Sequence, residues 1–152
     1  MNSDMLKHML DLQEELQVKA YGENPGEFES NEERIQFIKD MILALTDELH
    51  EMLGEVGWKP WATSDHINED AFKNELIDAW HFLMNLMLVV NMSAEELYER
   101  YIAKRQKNIK RQDNGYDGLN KCPICKRAYD DDAVECNYTY DMNGTPMYRC
   151  FI

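Results

Sequence analysis

Glycine and proline are scarce, at 7 and 4 residues in 152, which argues against a turn-rich β protein. No run of about 18 apolar residues occurs, so a membrane-spanning helix is not expected. Residues 1–12 lack a basic stretch followed by an apolar run, so a secretory signal is not expected either. Cysteine is absent from the first 121 residues; all four lie between 122 and 152. Basic side chains number 16 against 29 acidic, a net charge of −13, which at first sight disfavours stable nucleic-acid binding. What remains is a chain that is 44% hydrophobic, enough for a real core, and long enough for one domain with a small appendage.

The charge is uneven. Residues 1–99 carry 22 acidic and 6 basic side chains, whereas residues 100–111 (RYIAKRQKNIKR) carry six basic and no acidic ones. A solvated basic helix paired with acidic neighbours is one reading. A clamp for polyphosphate beside a cation site is the other.

Four helices can be read. The first covers residues 4–20, where Met5, Met9, Leu12 and Leu16 recur at spacings of three and four and predict one apolar face. Gly22, Asn24, Pro25 and Gly26 mark a loop. Ser30 and Glu33 form a capping box that opens a second helix to about residue 56, with a stripe of Ile35, Ile38, Ile42, Leu45, Leu49 and Leu53. Residues 57–68 form a loop holding Trp58, Lys59, Pro60 and Trp61. A third helix over residues 69–90 is apolar nearly all round after Leu76. Ser93 and Glu96 open a fourth, basic helix that ends near Gly115. Residues 117–121 read as a linker, giving two domains, 1–118 and 119–152.

Two pairs of carboxylates stand out. Glu48 and Glu51 are three apart on the second helix, and Glu75 and Asp78 three apart on the third, so each pair shares a helix face. Glu55 lies on the first pair's face. Glu48 interrupts an apolar stripe between Leu45 and Met52. Asp78 belongs to a polar strip of Asn74, Glu75, Asp78, His81 and Asn85 on an otherwise apolar helix. Exposed acid pairs on an acidic surface are the plain alternative. A buried carboxylate without a partner, however, shifts its pKa or destabilises the fold. A cation resolves both, and four carboxylates suit hard, oxygen-preferring Mg²⁺ or Mn²⁺. A cation beside a basic block points to a nucleoside triphosphate.

These residues resemble the all-α NTP pyrophosphohydrolases, which include MazG-like proteins and the dimeric dUTPases. The E-x-x-E and E-x-x-D pairs carry the general likeness. ELIDAWHF, NMSAEELYERY and the closing KNIKRQDNGY resemble the phage branch of the dimeric dUTPase family, that of the T-even dCTP/dUTP pyrophosphatases. WKPW resembles that family's W-K-x-W segment, and DLQEELQ its N-terminal base-recognition helix. The likeness covers roughly residues 9–118. It implies an all-α helical bundle, a homodimer, and Mg²⁺-dependent hydrolysis of dUTP, with dCTP as a second substrate, to the monophosphate and pyrophosphate. It implies that Glu48, Glu51, Glu75 and Asp78 hold Mg²⁺ and that Glu48 or Glu51 activates the attacking water. It further implies that Lys107, Asn108, Arg111 and Tyr116, with Lys104 and Lys59 as additions, hold the phosphates. Gln13 and Gln17 would face the pyrimidine, and Trp61 and Phe82 would pack on base or sugar. Gln17 stands where many cellular members have Asn, and its amide can turn to match uracil or cytosine. On the residues alone, Trp61 and Phe82 also read as core, His81 as a structural hydrogen-bond partner, and Gln13 and Gln17 as surface.

The tail reads separately. Cys122 and Cys125 form a C-x2-C knuckle of the zinc-binding type. Residues 133–140 and 145–152 read as two strands around Asn143-Gly144, a hairpin turn. A hairpin centred on 143 sets Cys136 opposite Cys150 and Tyr138 opposite Tyr148. Four cysteine ligands then hold a structural Zn²⁺ in a zinc ribbon-like module. A cross-strand disulfide and four free thiols are the alternatives. The first is rare in the cytoplasm, where this chain is expected (the host's, if phage-encoded), and the second leaves some 30 residues with too small a core.

Two other functions compete with this expectation: a MazG-like enzyme with another nucleotide preference, and a non-catalytic binding module.

Overall fold

The structure, a computed structural model, describes residues 4–61, 63–113, 136–140 and 146–150, the last two segments as backbone strands. Helix α1 spans Met5–Tyr21, α2 Asn31–Gly54, α3 Glu69–Val89 and α4 Ala94–Asp113, with a 3-10 turn at Pro25–Glu27 between the first two. Strands β1, Cys136–Tyr140, and β2, Pro146–Cys150, follow. The chain divides into two compact units, residues 1–100 and 101–152. No single helix among the described residues is long and apolar enough to cross a membrane.

Local chemistry sets the helix boundaries. The Asp4 carboxylate accepts the Lys7 N–H at 3.1 Å and starts α1. Gly22 ends it at φ 72°, a left-handed conformation that glycine adopts without a Cβ penalty, and returns its N–H to the Val18 carbonyl. The Ser30–Glu33 capping box closes in both directions at the start of α2. At the start of α4 only half of the expected box forms. Ser93 Oγ accepts the Glu96 N–H at 3.1 Å, but the Glu96 carboxylate turns to Arg100.

In the first unit α2 packs along α3, and α1 and the 3-10 turn pack on α3 as well. The α2–α3 pair is antiparallel: Arg34 near the start of α2 donates to the Val89 carbonyl at the end of α3, at 3.3 Å, and Met41 meets Asn85. Leu10, Met84, Met87 and Ala94 form the buried core cluster, with Leu6, Trp80, Leu88, Met92 and Leu97 packed against it.

The apolar stripe expected to bury α1 does the opposite. Met5 is 75% exposed, and Met9, Leu12 and Leu16 are exposed with it. The face turned inward is Leu10, Gln13 and Gln17. On α2, Ile35, Ile42, Leu49 and Leu53 are likewise exposed, and the buried residue is Phe37, packed edge-on against Phe28 at 5.4 Å. The reason is geometric. Leu10 of α1 packs with Met84 and Met87 of α3 and Ala94 of α4, and the hydrogen bonds of Gln13 with Asn85 and His81 hold the same face inward.

The connection between α2 and α3 is closed by Gly57 N–H to the His66 carbonyl and Asn68 N–H to the Glu55 carbonyl, both 2.9 Å, with Val56 bridged to Ile67. Glycine is required at 57, because a Cβ there would lie 2.2 Å from the Ser64 carbonyl oxygen.

In the second unit the strands are antiparallel and pair Cys136 with Cys150 and Tyr138 with Tyr148, the register expected from the hairpin centre. Cys122, Cys125, Tyr116 and the Asn143-Gly144 turn lie outside the described residues.

Candidate active site

Three of the four expected carboxylates come together. Glu48 and Glu51 of α2 and Glu75 of α3 each offer an oxygen within 4.8 Å of the other two. Asp78, one helical turn beyond Glu75, is exposed and outside that trio, yet close enough that its charge acts on Glu48 and Glu75. Burial pushes the Glu48 carboxyl above its usual range, and the charges of Glu51, Asp78, Glu75 and Asp47 push it the same way. Glu75 is raised by burial and then by Glu51, Asp78 and Glu55, against a hydrogen bond with Glu48 that lowers it. The cluster therefore repels itself. Its donors are all carboxylate oxygens on two adjacent helices, a set that fits a hard divalent cation such as Mg²⁺ better than a soft one.

A second polar group lies further along the same helix pair. Gln13 and Gln17, one turn apart on α1, are 3% and 5% exposed, not surface residues. Gln13 Nε2 donates to Asn85 Oδ1 at 2.7 Å, and Gln13 Oε1 lies 2.6 Å from His81 Nδ1. Asn85, 2% exposed, donates from Nδ2 to Met41 Sδ at 3.2 Å. His81 is thus the structural hydrogen-bond partner expected from the sequence. Asn85 and Met41 are members of the site that the sequence did not single out. Asn85 stood in the polar strip of α3 without a role, and Met41 reads as ordinary core.

The antiparallel packing relates the two groups. Met41 faces Asn85, and Glu48, seven residues on in α2, faces Glu75, so both lie on one seam. Seven residues of α2 span about 10 Å, and the ten from Glu75 to Asn85 on α3 about 15 Å.

The aromatic candidates divide. Phe82 is half-buried on α3, whereas Trp61 is 77% exposed on the loop between α2 and α3 and is not core. Lys59 in the same loop sits over the Trp58 ring, 5.8 Å from its centre. The phosphate candidates Lys104, Lys107, Asn108 and Arg111 recur at spacings of three and four on α4, so they share a face of that helix in the second unit. Lys104 and Asn108 are exposed and help line a groove of about 480 Å³, and Lys107 and Arg111 are half-buried.

The family described as dUTPase matches residues 5–93, more than half of the chain. The chain is 30% identical to the dCTP pyrophosphatase of Enterobacteria phage T4 over 142 residues, covering 74% of this chain and 83% of that protein. It is 31% identical to the dCTP pyrophosphatase of Enterobacteria phage LZ5 over 76% of this chain and 84% of that one. A DNA replication protein of phage T4 is 28% identical over 68% of this chain, which spans only 34% of that protein. No solved structure matches. The matched segment contains the carboxylate trio and the glutamine–asparagine group, and on these grounds the chain belongs to the dUTPase family, in the branch of these phage enzymes.

Proposed function

We propose that this chain hydrolyses pyrimidine deoxynucleoside triphosphates, dUTP and dCTP, between the α and β phosphates, releasing the deoxynucleoside monophosphate and pyrophosphate. The family points to dUTP and the phage relatives to dCTP. The observation that carries the reading is the presence, along one α2–α3 seam, of a carboxylate trio and of the buried Asn85 amide bonded to Gln13 of α1.

Glu48, Glu51 and Glu75, with Asp78 beside them, would hold Mg²⁺. The ion would supply polarisation of a phosphoryl group and acidification of water. Glu48 or Glu51 receives the proton from the attacking water. Lys104, Lys107, Asn108 and Arg111 of α4, with Lys59 and Tyr116, neutralise and orient the phosphates. Gln13 and Gln17 read the base, and Phe82 and Trp61 pack against base or sugar.

Two further parts belong to this reading. The exposed apolar faces of α1 and α2 support a homodimer, since contiguous apolar surface of this kind marks an interface. The Cys136–Cys150 register supports a structural Zn²⁺ held with Cys122 and Cys125, because residues directly opposite in an antiparallel pair share a face. Elemental analysis of the purified chain is expected to find one zinc per chain. Much less, without chelation, refutes that site.

The activity is tested by pyrophosphate release with Mg²⁺ over the common dNTPs and NTPs plus dUTP. Turnover confined to dUTP and dCTP is expected. Equal turnover of purines overturns the pyrimidine assignment in favour of a broader MazG-like preference, and no turnover at all leaves a binding module.

A further inference from the structure

The buried hydrogen-bond chain has a direction, and the direction has a consequence for the base. A thioether sulfur accepts hydrogen bonds and cannot donate them. Met41 Sδ therefore requires the Nδ2 end of the Asn85 amide, 3.2 Å away. That places Asn85 Oδ1 toward Gln13, which must present Nε2 to it at 2.7 Å. Gln13 Oε1 then faces His81 Nδ1 at 2.6 Å, so this ring nitrogen carries a proton. Turning the chain around would set Asn85 Oδ1 against Met41 Sδ, acceptor against acceptor. Asn85 is 2% exposed and Gln13 3%, so water is poorly placed to relieve that clash.

Gln17, one turn along the same face of α1, is in a different condition. It is 5% exposed, and no hydrogen bond from its amide to a described residue holds it in either orientation.

We propose that Asn85 and Met41 are positioning residues for base recognition, fixing the Gln13 amide in one orientation while Gln17 stays free to turn. This rests on the pyrimidine reading above and deepens it. Uracil and cytosine share one group on the reading edge, the O2 acceptor. They differ in the other two positions, where uracil offers O4 and N3–H and cytosine offers N3 and an N4 amino group. Gln13, with Nε2 held in place and one N–H unspent, matches the shared acceptor. Gln17, able to present either end of its amide, matches the edge that differs. One locked and one free amide then accept both bases and exclude purines by size.

The experiment combines His81 tautomer assignment by ¹⁵N NMR with kinetics on the full chain. The wild type is expected to show neutral His81 protonated on Nδ1. Met41→Leu keeps the volume but removes the acceptor. It is expected to give a mixed tautomer population and to raise KM for dUTP and dCTP together, about fivefold, with kcat held, as for one lost hydrogen bond. Gln17→Glu fixes an acceptor at the adaptable position and is expected to shift the dCTP:dUTP ratio of kcat/KM at least tenfold toward dCTP, whose amino group donates. An Nε2-protonated His81 in the wild type overturns the proposal. So does a Met41→Leu chain with unchanged tautomer and KM, or a Gln17→Glu chain with an unchanged ratio. If the wild type turns over neither nucleotide, the pyrimidine reading fails and takes the base-reading half of the inference with it. The tautomer then still decides the direction of the chain, and it needs no variant to fold.

Discussion

Glu48 stands at a point in α2 where an apolar residue would continue the stripe, and its carboxyl is held above the usual range by burial and by its acidic neighbours. Glu75 is held up in the same way. The folded chain thus binds protons at these positions more tightly than the unfolded chain. The stability they contribute is fully present below the unfolded-chain value and is lost as pH rises through the raised value. In chelator, the melting temperature of the wild type is expected to fall relative to Glu48→Gln as pH rises through that window. Added Mg²⁺ at neutral pH is expected to stabilise the wild type more than the variant, by linkage to binding. The same variant is expected to lose at least about 100-fold in dUTP and dCTP turnover, the scale of a lost general base or metal ligand. Parallel pH curves for the two proteins would show that Glu48 feels no such repulsion. The acidic residues were legible because a carboxylate in an apolar helix is conspicuous. Met41 was not, because nothing in a sequence tells a packing thioether from one that accepts a hydrogen bond.

At the scale of elements, helix ends were the most legible feature. Ser30, Gly22 and the Ser93 hydroxyl cap where their chemistry predicts. Helix faces were less so. Periodicity located the apolar side of α1 correctly, but it does not say what lies opposite. Gln13, in contact with Asn85 and His81, shows that a polar face can be the inner one when it finds partners. The loop between α2 and α3 depends on Gly57, which has a backbone carbonyl where a side chain would begin. Gly57→Ala is expected to destabilise the fold by about 1–3 kcal/mol, the usual range for overpacking, since a carbonyl cannot swing aside as a flexible side chain can. Thermal or urea denaturation measures it, and an unchanged midpoint would mean that the loop opens without loss.

For the whole molecule, the exposed leucines and methionines of α1 are the decisive surface. Leu12→Glu places a charge in the middle of that face. It is expected to convert a dimer to monomers in sedimentation velocity, whereas a variant that sediments like the wild type removes this face from the interface. In the sequence a partner for this face is an expectation from resemblance alone, because an apolar stripe reads alike whether its cover comes from the same chain or another. The antiparallel strands are the contrasting case. A turn centred on 143 and a period of two predict the pairing of Cys136 with Cys150, and β1 and β2 have that register.

The seam between α2 and α3 also works as a gauge. Met41 and Glu48 are seven residues apart, nearly two whole turns, so the sulfur and the carboxylate emerge on the same side of α2. One residue inserted between them would advance the lower half of the helix by about 100° and turn the acids away from their partner on α3. The interval from 41 to 48 in α2 is therefore held by its pairing with α3.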